Sequence, residues 1–259
     1  MTEPHLICID IDGTLLDGQS DCPPRENLEA ICEVRRQGHK VFINTGRAWA
    51  NIPQGLRDVL DCFDGFCCAN GSYVRTRDRV LRNITFPEPL LFEALQYFIR
   101  EDPRFCLFEG ETLLLKTGVA SDLYGSPGVM IHHPEEIHTR FQGYRFNVFS
   151  CEGRLPEAFH QKFSGRIHIF QCDTFADCAP LGCSKAIGMQ YAAAHCAIPM
   201  THTVAIGDSA NDLPMLQSAA VSVAMGNSPE DIRRQADFVT DSHENCGVAQ
   251  ILRKLFPSR

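Results

Sequence analysis

Residues 6–16, with the sequence LICIDIDGTLL, give the strongest indication of the fold class. The four consecutive apolar residues at 6–9 have the length of a β-strand, and polar, turn-forming residues follow them. Uniformly apolar strands are typical of parallel sheets that are covered on both faces. The stretch therefore predicts a buried parallel strand whose carboxyl end carries Asp10 and Asp12.

The segments that follow alternate between helical and strand-like patterns. Apolar residues recur at helical spacing over residues 25–37, and Gly38 stands where a helix is expected to end. Short apolar runs at 41–43 and 66–69 predict two more strands, with a helix over residues 52–60 between them. This β-α-β-α-β order favours a parallel sheet covered by helices.

The pattern changes over residues 84–180, which predict an inserted α+β unit with antiparallel strands. Its helices are expected at residues 90–100 and 155–163, and its strands at 105–108, 113–116, 144–149 and 167–171. Pro87, Pro89 and Pro180 lie near the two crossing points, where linkers are expected. We therefore expect a core domain of residues 1–83 and 181–259 and an inserted domain of residues 84–180.

The α/β rhythm returns after residue 180. Helices are expected at 185–196 and up to about 255, and strands at 204–206 and 221–224. Ser228 is predicted to be the N-cap of another helix that has Pro229 in its first turn. The predicted fold class is α/β, with a doubly wound, parallel-sheet core and an inserted α+β domain.

Composition and charge limit the classes of partner. The 259-residue chain has a formal net charge of −8 and no concentrated basic patch, so nucleic-acid binding is not expected. No apolar run approaches the roughly 20 residues of a membrane span, and the N-terminus lacks a signal-peptide pattern. Thirteen scattered cysteines without zinc-ligand spacing are typical of reduced thiols, which indicates a cytoplasmic protein. The sequence leaves open whether the protein is a monomer or a homodimer.

Polar side chains follow three of the predicted strands. They are Asp10 and Asp12 after the first strand, Thr45, Gly46 and Arg47 after the second, and Asp208, Asn211 and Asp212 after the strand at 204–206. Ligands bind at the carboxyl ends of parallel strands, so these groups are expected to converge if the strands are neighbours. Convergent carboxylates repel one another, and a divalent cation with hard oxygen ligands, such as Mg²⁺, relieves that repulsion.

Four short motifs together resemble those of the haloacid dehalogenase superfamily. They are Asp10-x-Asp12-Gly-Thr, Thr45-Gly-Arg47, Lys185 and Gly207-Asp208-x-x-Asn211-Asp212, in the same order and with matching spacing. The inserted unit is similar in size, position and class to the α+β cap of the Cof-like sugar-phosphatase branch. The resemblance implies a Rossmann-like core and a cap that determines substrate specificity.

The resemblance also implies a Mg²⁺-dependent phosphohydrolase that acts on small phosphorylated metabolites, with sugar phosphates favoured. Asp10 is implied as the nucleophile that forms a phosphoaspartate, and Asp12 as the general acid and base. Phosphate binding is implied for Thr45, Gly46, Arg47, Lys185 and Asn211. Coordination of Mg²⁺ is implied for Asp10, Asp208 and the Asp12 backbone carbonyl, with Asn211 and Asp212 as supports.

Other functions stay open at this point. A phosphohexomutase with the same core would return the phosphoryl group to a sugar, and a non-catalytic phosphate-binding regulator would keep the same charged groups. A dehalogenase is disfavoured because Asp12 and the metal carboxylates would have no task in it. Asn70 and Gly71 predict a turn as the preferred interpretation, and a substrate contact is the alternative.

Overall fold

The structure, a computed structural model, describes residues 3–17, 20–118, 128–172 and 174–257. The strands are, in chain order, β1 (Leu6–Ile9), β2 (Lys40–Asn44), β3 (Gly65–Cys68), β4 (Tyr73–Thr76), β5 (Val80–Asn83), β6 (Cys106–Gly110), β7 (Leu114–Thr117), β8 (Val129–Met130), β9 (Phe146–Glu152), β10 (Ile167–Gln171), β11 (Phe175–Pro180), β12 (Thr203–Gly207), β13 (Val221–Ala224) and β14 (Phe238–Val239). The α-helices are α1 (Arg25–Arg36), α2 (Gln54–Arg57), α3 (Glu88–Gln96), α4 (Glu157–Phe163), α5 (Lys185–Cys196), α6 (Leu213–Ser218), α7 (Glu230–Arg233) and α8 (Gly247–Leu255). The strands form two sheets.

The larger sheet, called the core sheet, has eight strands in the order β14-β13-β12-β1-β2-β3-β4-β5. Neighbouring strands from β14 to β3 are parallel, whereas β4 and β5 form an antiparallel hairpin at the edge. All four residues of β1 are buried, and this strand pairs with β12 on one side and β2 on the other. The buried parallel strand predicted at residues 6–9 is confirmed.

Helices cover both faces of the core sheet, because the apolar side chains of its strands point alternately to one face and to the other. Ile7 and Ile9 pack with residues of α1 and α8 in one cluster, whereas Leu6 and Cys8 pack with residues of α5 and α6 in another. Successive side chains of a strand point to opposite faces, so an apolar strand fills two hydrophobic layers. The doubly wound α/β core predicted from the sequence is confirmed.

The smaller sheet, called the cap sheet, has six strands in the order β10-β11-β9-β6-β7-β8 and is antiparallel except for the β7–β8 pair. One face packs against α3 and α4 through a cluster that includes Phe108, Phe149 and Phe159. The inserted α+β unit is therefore confirmed as part of the fold class. We keep its boundaries at residues 84 and 180 as a proposal, supported by the passage of the chain from β5 to the cap sheet and back through α5.

The continuous helix predicted over residues 52–60 is wrong. The segment contains the short helix α2 between two 3₁₀ turns, Trp49–Asn51 and Leu60–Cys62. Pro53 disfavours helical backbone at the residue before it, and Ile52 is extended, with ψ of 127°. Val59 then leaves the helical region, with φ of −117° and ψ of 22°, which ends the helical turn.

The helix start predicted at Ser228 is also wrong by one residue. Pro229 takes the N-cap position with an extended ψ of 151°, and α7 has only four residues. The Ser228 hydroxyl is buried and has no hydrogen-bond partner among the described residues. Because Pro229 adopts the extended backbone of an N-cap, the helix begins at Glu230 and leaves the serine one position outside it.

The sequence prediction lacks β11, which lies between β10 and β9 and pairs antiparallel with both. Asp177 and Pro180 interrupt its apolar run, and both residue types are depleted in strands. The strand is nevertheless held inside the cap sheet, second from its edge, by its two neighbours. It places Asp177 on the face of that sheet that contacts the core.

Replacing Leu252 by alanine is expected to lower the free energy of unfolding by about 2–5 kcal/mol. This fully buried side chain of α8 belongs to the cluster that α8 shares with α1 and β1. Denaturant unfolding followed by circular dichroism measures the loss. The matched control is Lys254→Ala on the exposed side of the same helix, for which a change below about 1 kcal/mol is expected. Equal losses in the two variants would contradict the packing described.

Candidate active site

The carboxyl ends of three neighbouring strands meet at one edge of the core sheet. Asp10, Thr45 and Asp208 directly follow the last residues of β1, β2 and β12. Backbone pairing continues at two of them, because the Asp10 N–H donates to Ile206 O at 3.0 Å and the Thr45 N–H to Cys67 O at 2.8 Å. The topology thus brings these residues to the place where ligands bind in open α/β sheets.

The ammonium group of Lys185 lies at the centre of this edge. Lys185 begins α5, is 1% exposed, and donates from Nζ to Asp10 Oδ1 at 2.6 Å and to Asp212 Oδ1 at 2.5 Å. Ser184 caps the helix with its side chain, and the Asn44 side chain donates to the Lys185 carbonyl at 2.8 Å. A buried ammonium is tolerated only when it is paired and hydrogen-bonded, and the two carboxylates supply those partners.

Asp212 connects the loop after β12 to the same ammonium group. Its side chain is fully buried, and its Oδ2 accepts hydrogen bonds from the backbone N–H groups of Asp208 and Ser209 at 3.0 and 2.9 Å. A Cβ on Gly207 would lie 2.5 Å from the Asp212 carboxyl carbon, so a glycine makes room for it. Asp212 therefore fixes the backbone from which the Asp208 side chain projects.

The turn after β1 approaches Asp208 closely. Gly13 has a φ of +79°, and a Cβ there would collide with the Asp208 carboxylate. Only glycine meets both the conformational and the steric requirement without strain. Thr14 Oγ1 also donates a hydrogen bond to Asp208 Oδ1 at 3.0 Å. The turn and the loop after β12 are thus held together by direct contact.

Asp12 forms a bidentate ion pair with Arg47. The Arg47 Nε donates to Asp12 Oδ2 at 2.7 Å, and its Nη2 donates to Asp12 Oδ1 at 2.8 Å. The two side chains are 32% and 44% exposed for Arg47 and Asp12, so this pair lies on the open side of the site. Such fork-like pairs have a defined geometry as well as favourable energy.

Three carboxylates, those of Asp10, Asp208 and Asp212, each place one oxygen within 4.8 Å of the others. Burial and the neighbouring Asp212 carboxylate raise the pKa of Asp10 well above its usual range, against the opposing effect of Lys185. Burial, together with Asp212, raises the pKa of Asp208 to about 7. Burial is the larger cause of both shifts and the neighbouring carboxylates add to it, and carboxylate oxygens are the donors that hard divalent cations prefer. The donor set therefore fits a divalent metal ion.

Two acidic residues of the cap sheet, Glu109 and Asp177, also reach this edge, and sequence reasoning missed them. Asp177 lies over Gly46, where a Cβ would be 2.5 Å from Asp177 Oδ2. Glu109 accepts a hydrogen bond from the Ala48 N–H at 3.1 Å, next to Arg47. Each is the only acidic residue of its strand, and an acidic residue inside a buried strand is the signal that could have found them.

The predicted site residues fall into three contacting groups. The groups are Asp10 with Lys185, Asp208 and Asp212; Asp12 with Arg47, whose backbone N–H donates to the Thr45 hydroxyl; and Gly46 and Asn211 near Asp177. Asn70 joins the last group: it is buried with a φ of +50°, and its side chain donates to Asp177 Oδ2 at 3.1 Å. The structure thus brings all of them to one region, and their individual roles stay a proposal.

Comparison with known proteins identifies the family that has this arrangement. The sequence profile of the haloacid dehalogenase-like hydrolases matches residues 7–252. The chain belongs to that family. The stress response protein YhaX of Bacillus subtilis (strain 168) is 39% identical to it over 97% of this chain and 93% of its own length. The 5-amino-6-(5-phospho-D-ribitylamino)uracil phosphatase YitU of the same organism is 26% identical over 98% of both chains.

A solved structure gives the same result for the whole fold. The sugar phosphatase BT4131, of haloacid dehalogenase subclass IIB, superposes with a TM-score of 0.83 at 25% identity and covers 97% of this chain and 98% of its own. The predicted membership of the Cof-like phosphatase branch is confirmed. This hydrolase is a phosphatase, and its substrate is a phosphorylated compound. Within the described residues, no helix combines the length and the apolar composition needed to cross a membrane.

Glu109 is expected to make the stability of this hydrolase depend on pH. Burial raises the pKa of Glu109 from 4.5 to about 7, although the Ala48 N–H and the Asn51 amide donate hydrogen bonds to it. The folded protein therefore binds this proton more tightly than the unfolded chain. The resulting stabilisation is complete below about pH 4.5 and is lost as the pH rises through about 7, up to about 3 kcal/mol in all.

The variant Glu109→Gln removes this titration and keeps the shape of the side chain. Its free energy of unfolding is expected to rise above that of the wild type between about pH 5 and pH 8, because the wild type must ionise a buried carboxyl over that range. Denaturant unfolding at a series of pH values measures the difference, and Glu157→Gln on the exposed start of α4 is the control. Parallel pH profiles for wild type and Glu109→Gln would contradict the assignment.

Proposed function

We propose that this hydrolase is a Mg²⁺-dependent phosphatase of small phosphate esters, with sugar phosphates as the preferred class, and that it acts through a phosphoaspartate on Asp10. The observation that carries the proposal is the setting of the Asp10 carboxylate. It stands at the end of β1, 2.6 Å from the Lys185 ammonium, with oxygens of Asp208 and Asp212 within 4.8 Å. A carboxylate held through one oxygen keeps a fixed orientation, which in-line attack on phosphorus requires.

The reaction has two half-reactions. In the first, an Asp10 oxygen attacks phosphorus, and the bond between phosphorus and the leaving oxygen breaks. In the second, water attacks the aspartyl phosphate, which releases inorganic phosphate and restores the carboxylate. Asp12 gives a proton to the leaving oxygen in the first step and takes a proton from water in the second.

Arg47 has to move for Asp12 to act. In the structure, its guanidinium group occupies both carboxylate oxygens of Asp12. A phosphoryl group offers the guanidinium fork a second pair of oxygens with matching geometry. Arg47 therefore turns from Asp12 towards the bound phosphoryl group, and this turn leaves Asp12 able to exchange a proton.

The remaining polar groups hold the phosphoryl oxygens. Lys185 supplies a positive charge beside Asp10, where negative charge develops during transfer. Thr45 supplies a hydroxyl and Asn211 an amide. Gly46 supplies a backbone N–H from the loop that follows β2. The buried position of Thr45 and Lys185 keeps these groups in place before the substrate binds.

The Mg²⁺ ion belongs to the proposal because the donors at this edge are carboxylate oxygens. Asp10 and Asp208 would hold it through their side chains and Asp12 through its backbone carbonyl, while Asp212 orients the Asp208 loop. When bound, Mg²⁺ offsets the charge of the phosphoryl oxygens and of the surrounding carboxylates.

Several observations support a small sugar phosphate in the cytoplasm as the substrate. The neighbour BT4131 is named as a sugar phosphatase, and YitU by its name acts on a phosphorylated ribityl compound. Val148 of the cap sheet packs directly on Ala48 and Ala69 of the core, so the cap covers the site closely. The net charge of −8 disfavours nucleic acid as a partner. The thirteen cysteines, all free thiols here, fit a reducing compartment.

Replacing Asp10 by asparagine is expected to reduce phosphate release from an aryl phosphate by at least about 10³-fold, because the amide is not a competent nucleophile. Phosphate release is measured with Mg²⁺ and after chelation by EDTA, and the chelated wild type is expected to recover when Mg²⁺ is added back. The control is Asp78→Asn at the exposed turn between β4 and β5. Equal activity of wild type and Asp10→Asn would refute the nucleophile assignment.

Transfer to water is separated from transfer to a sugar by the fate of a hexose 1-phosphate. This hydrolase is expected to release inorganic phosphate from that substrate and to form no hexose 6-phosphate. The two products are followed in one reaction by colorimetric phosphate assay and by phosphorus NMR. Isomerisation without phosphate release would favour the mutase function instead.

A further inference from the structure

Two buried carboxylates lie where the cap sheet meets the core and take no part in the steps above. Glu109 on β6 is 2% exposed, and Asp177 on β11 is 5% exposed. The hydrogen bonds described for them come from neutral donors, namely backbone N–H, amide and hydroxyl groups. Burying a carboxylate is costly unless such donors replace its water, so the position of both side chains needs an explanation.

The strand register places the two carboxylates side by side on the cap face that contacts the core. Asp177 is opposite Ser150 of β9, and Val148, two residues earlier on β9, is opposite Glu109. Side chains two residues apart on a strand share a face. The Ser150 hydroxyl lies 3.2 Å from Glu109 Oε1 and 2.8 Å from Asp177 Oδ1, so it links the pair.

Glu109 binds the core segment that carries Arg47. Its Oε2 accepts hydrogen bonds from the Ala48 N–H at 3.1 Å and from Asn51 Nδ2 at 2.9 Å. Arg47 immediately precedes Ala48, and its Nη1 donates to the Asn51 carbonyl at 3.3 Å. The Glu109 carboxylate thus holds the backbone at Ala48, next to Arg47, and also holds Asn51, which the Arg47 guanidinium group contacts.

Asp177 binds side chains of two other core loops, those that follow β3 and β12. Its Oδ2 accepts hydrogen bonds from Asn70 Nδ2 at 3.1 Å and from Asn211 Nδ2 at 3.3 Å, and it lies directly over Gly46. Ser209 Oγ donates to Asn211 Oδ1 at 2.8 Å, so both ends of the Asn211 amide are bound. Asn211 Nδ2 also donates to Asn70 Oδ1 at 3.4 Å, so a cap residue and core residues together orient that amide.

Adhesion between cap and core does not require carboxylates. Apolar side chains of similar size often stabilise a buried contact as well as charged ones or better. Val148, Ala48 and Ala69 already form such a contact beside the pair. What the carboxylates add is direction, because a hydrogen bond forms only when donor and acceptor are correctly placed.

We propose that Glu109 and Asp177 are positioning residues through which the cap, in contact with the core, sets the geometry of two phosphate-binding side chains. Glu109 acts through Arg47, and Asp177 acts through Asn211. The proposal rests on the proposed function, in which those two core residues contact the phosphoryl group. These contacts would couple the chemical step to cap closure. If the cap moves away, the core donors at Ala48, Asn51 and Asn211 lose Glu109 and Asp177 as hydrogen-bond acceptors.

The first experiment compares Glu109→Met with Glu109→Gln in the full-length protein. Methionine fills the space but accepts no such hydrogen bond, whereas the glutamine oxygen accepts both core donors. With an aryl phosphate, kcat is expected to fall about 10- to 100-fold for Glu109→Met, with KM changed less than about threefold. Glu109→Gln is expected to stay within about threefold of the wild type in both constants. Glu157→Met on α4 is the control for a new methionine on the cap.

The second experiment tests whether Glu109 acts through Arg47. In an Arg47→Ala background, Glu109→Met is expected to lower kcat by less than about twofold, because the group that it positions is gone. The same factor of loss in both backgrounds would overturn the proposal, since independent effects multiply. An unchanged kcat per folded molecule, with lower thermal stability as the only effect, would also overturn it by showing a structural role.

The pair Asp177→Leu and Asp177→Asn gives an independent test. If Glu109→Met does not fold, this pair decides whether a cap carboxylate positions a core side chain. A loss of about 10-fold or more in kcat is expected for leucine and near-wild-type kcat for asparagine, with the loss suppressed in an Asn211→Ala background. Failure of the proposed function is separate: an active Asp10→Asn refutes the nucleophile. Inactive Asp10→Asn together with unchanged kcat in Glu109→Met and Asp177→Leu refutes only the positioning roles.

Discussion

The ion pairs of the buried Lys185 ammonium with Asp10 and Asp212 are the interaction on which the rest of the structure depends. Burial disfavours a charged lysine, but the two carboxylates outweigh that effect, and the pKa of Lys185 is raised above its usual range. Losing one partner of such a group costs about 3–5 kcal/mol. The end of β1, the start of α5 and the loop after β12 must therefore stay within hydrogen-bond distance of one atom.

This constraint explains the small residues around the site. Gly207 makes room for the Asp212 carboxylate, and Gly13 allows the turn after β1 to approach Asp208. The same packing buries more carboxylates than one ammonium can neutralise, and burial, with mutual repulsion added to it, raises the pKa of Asp10 and Asp208. The charge surplus that accommodates a divalent cation is a consequence of how the lysine is buried.

The cap follows the same physical rule with a different outcome. Glu109 and Asp177 are also buried carboxylates, but their donors are neutral groups that belong largely to the core. The hydrogen-bond requirements of the cap face are therefore met by core loops when the two units are in contact. In a phosphatase built in this way, the core sheet carries the groups for phosphoryl chemistry. The cap sheet carries carboxylates that bind core loops only while the two units are in contact.

The sequence by itself determined the buried strand at 6–9, the helix at 185–196 and the carboxylates at the strand ends, because apolar periodicity and turn residues are local properties. Its motifs also indicated the family and named Asp10, Lys185 and Asp208 as candidate site residues. Only the tertiary structure decided the pairing of Arg47 with Asp12, the place of β11, and the contacts of Glu109 and Asp177 with the core. The side-chain contacts among those features join residues that lie 34 to 107 positions apart. No local pattern specifies which donors a buried carboxylate meets once two sheets pack together.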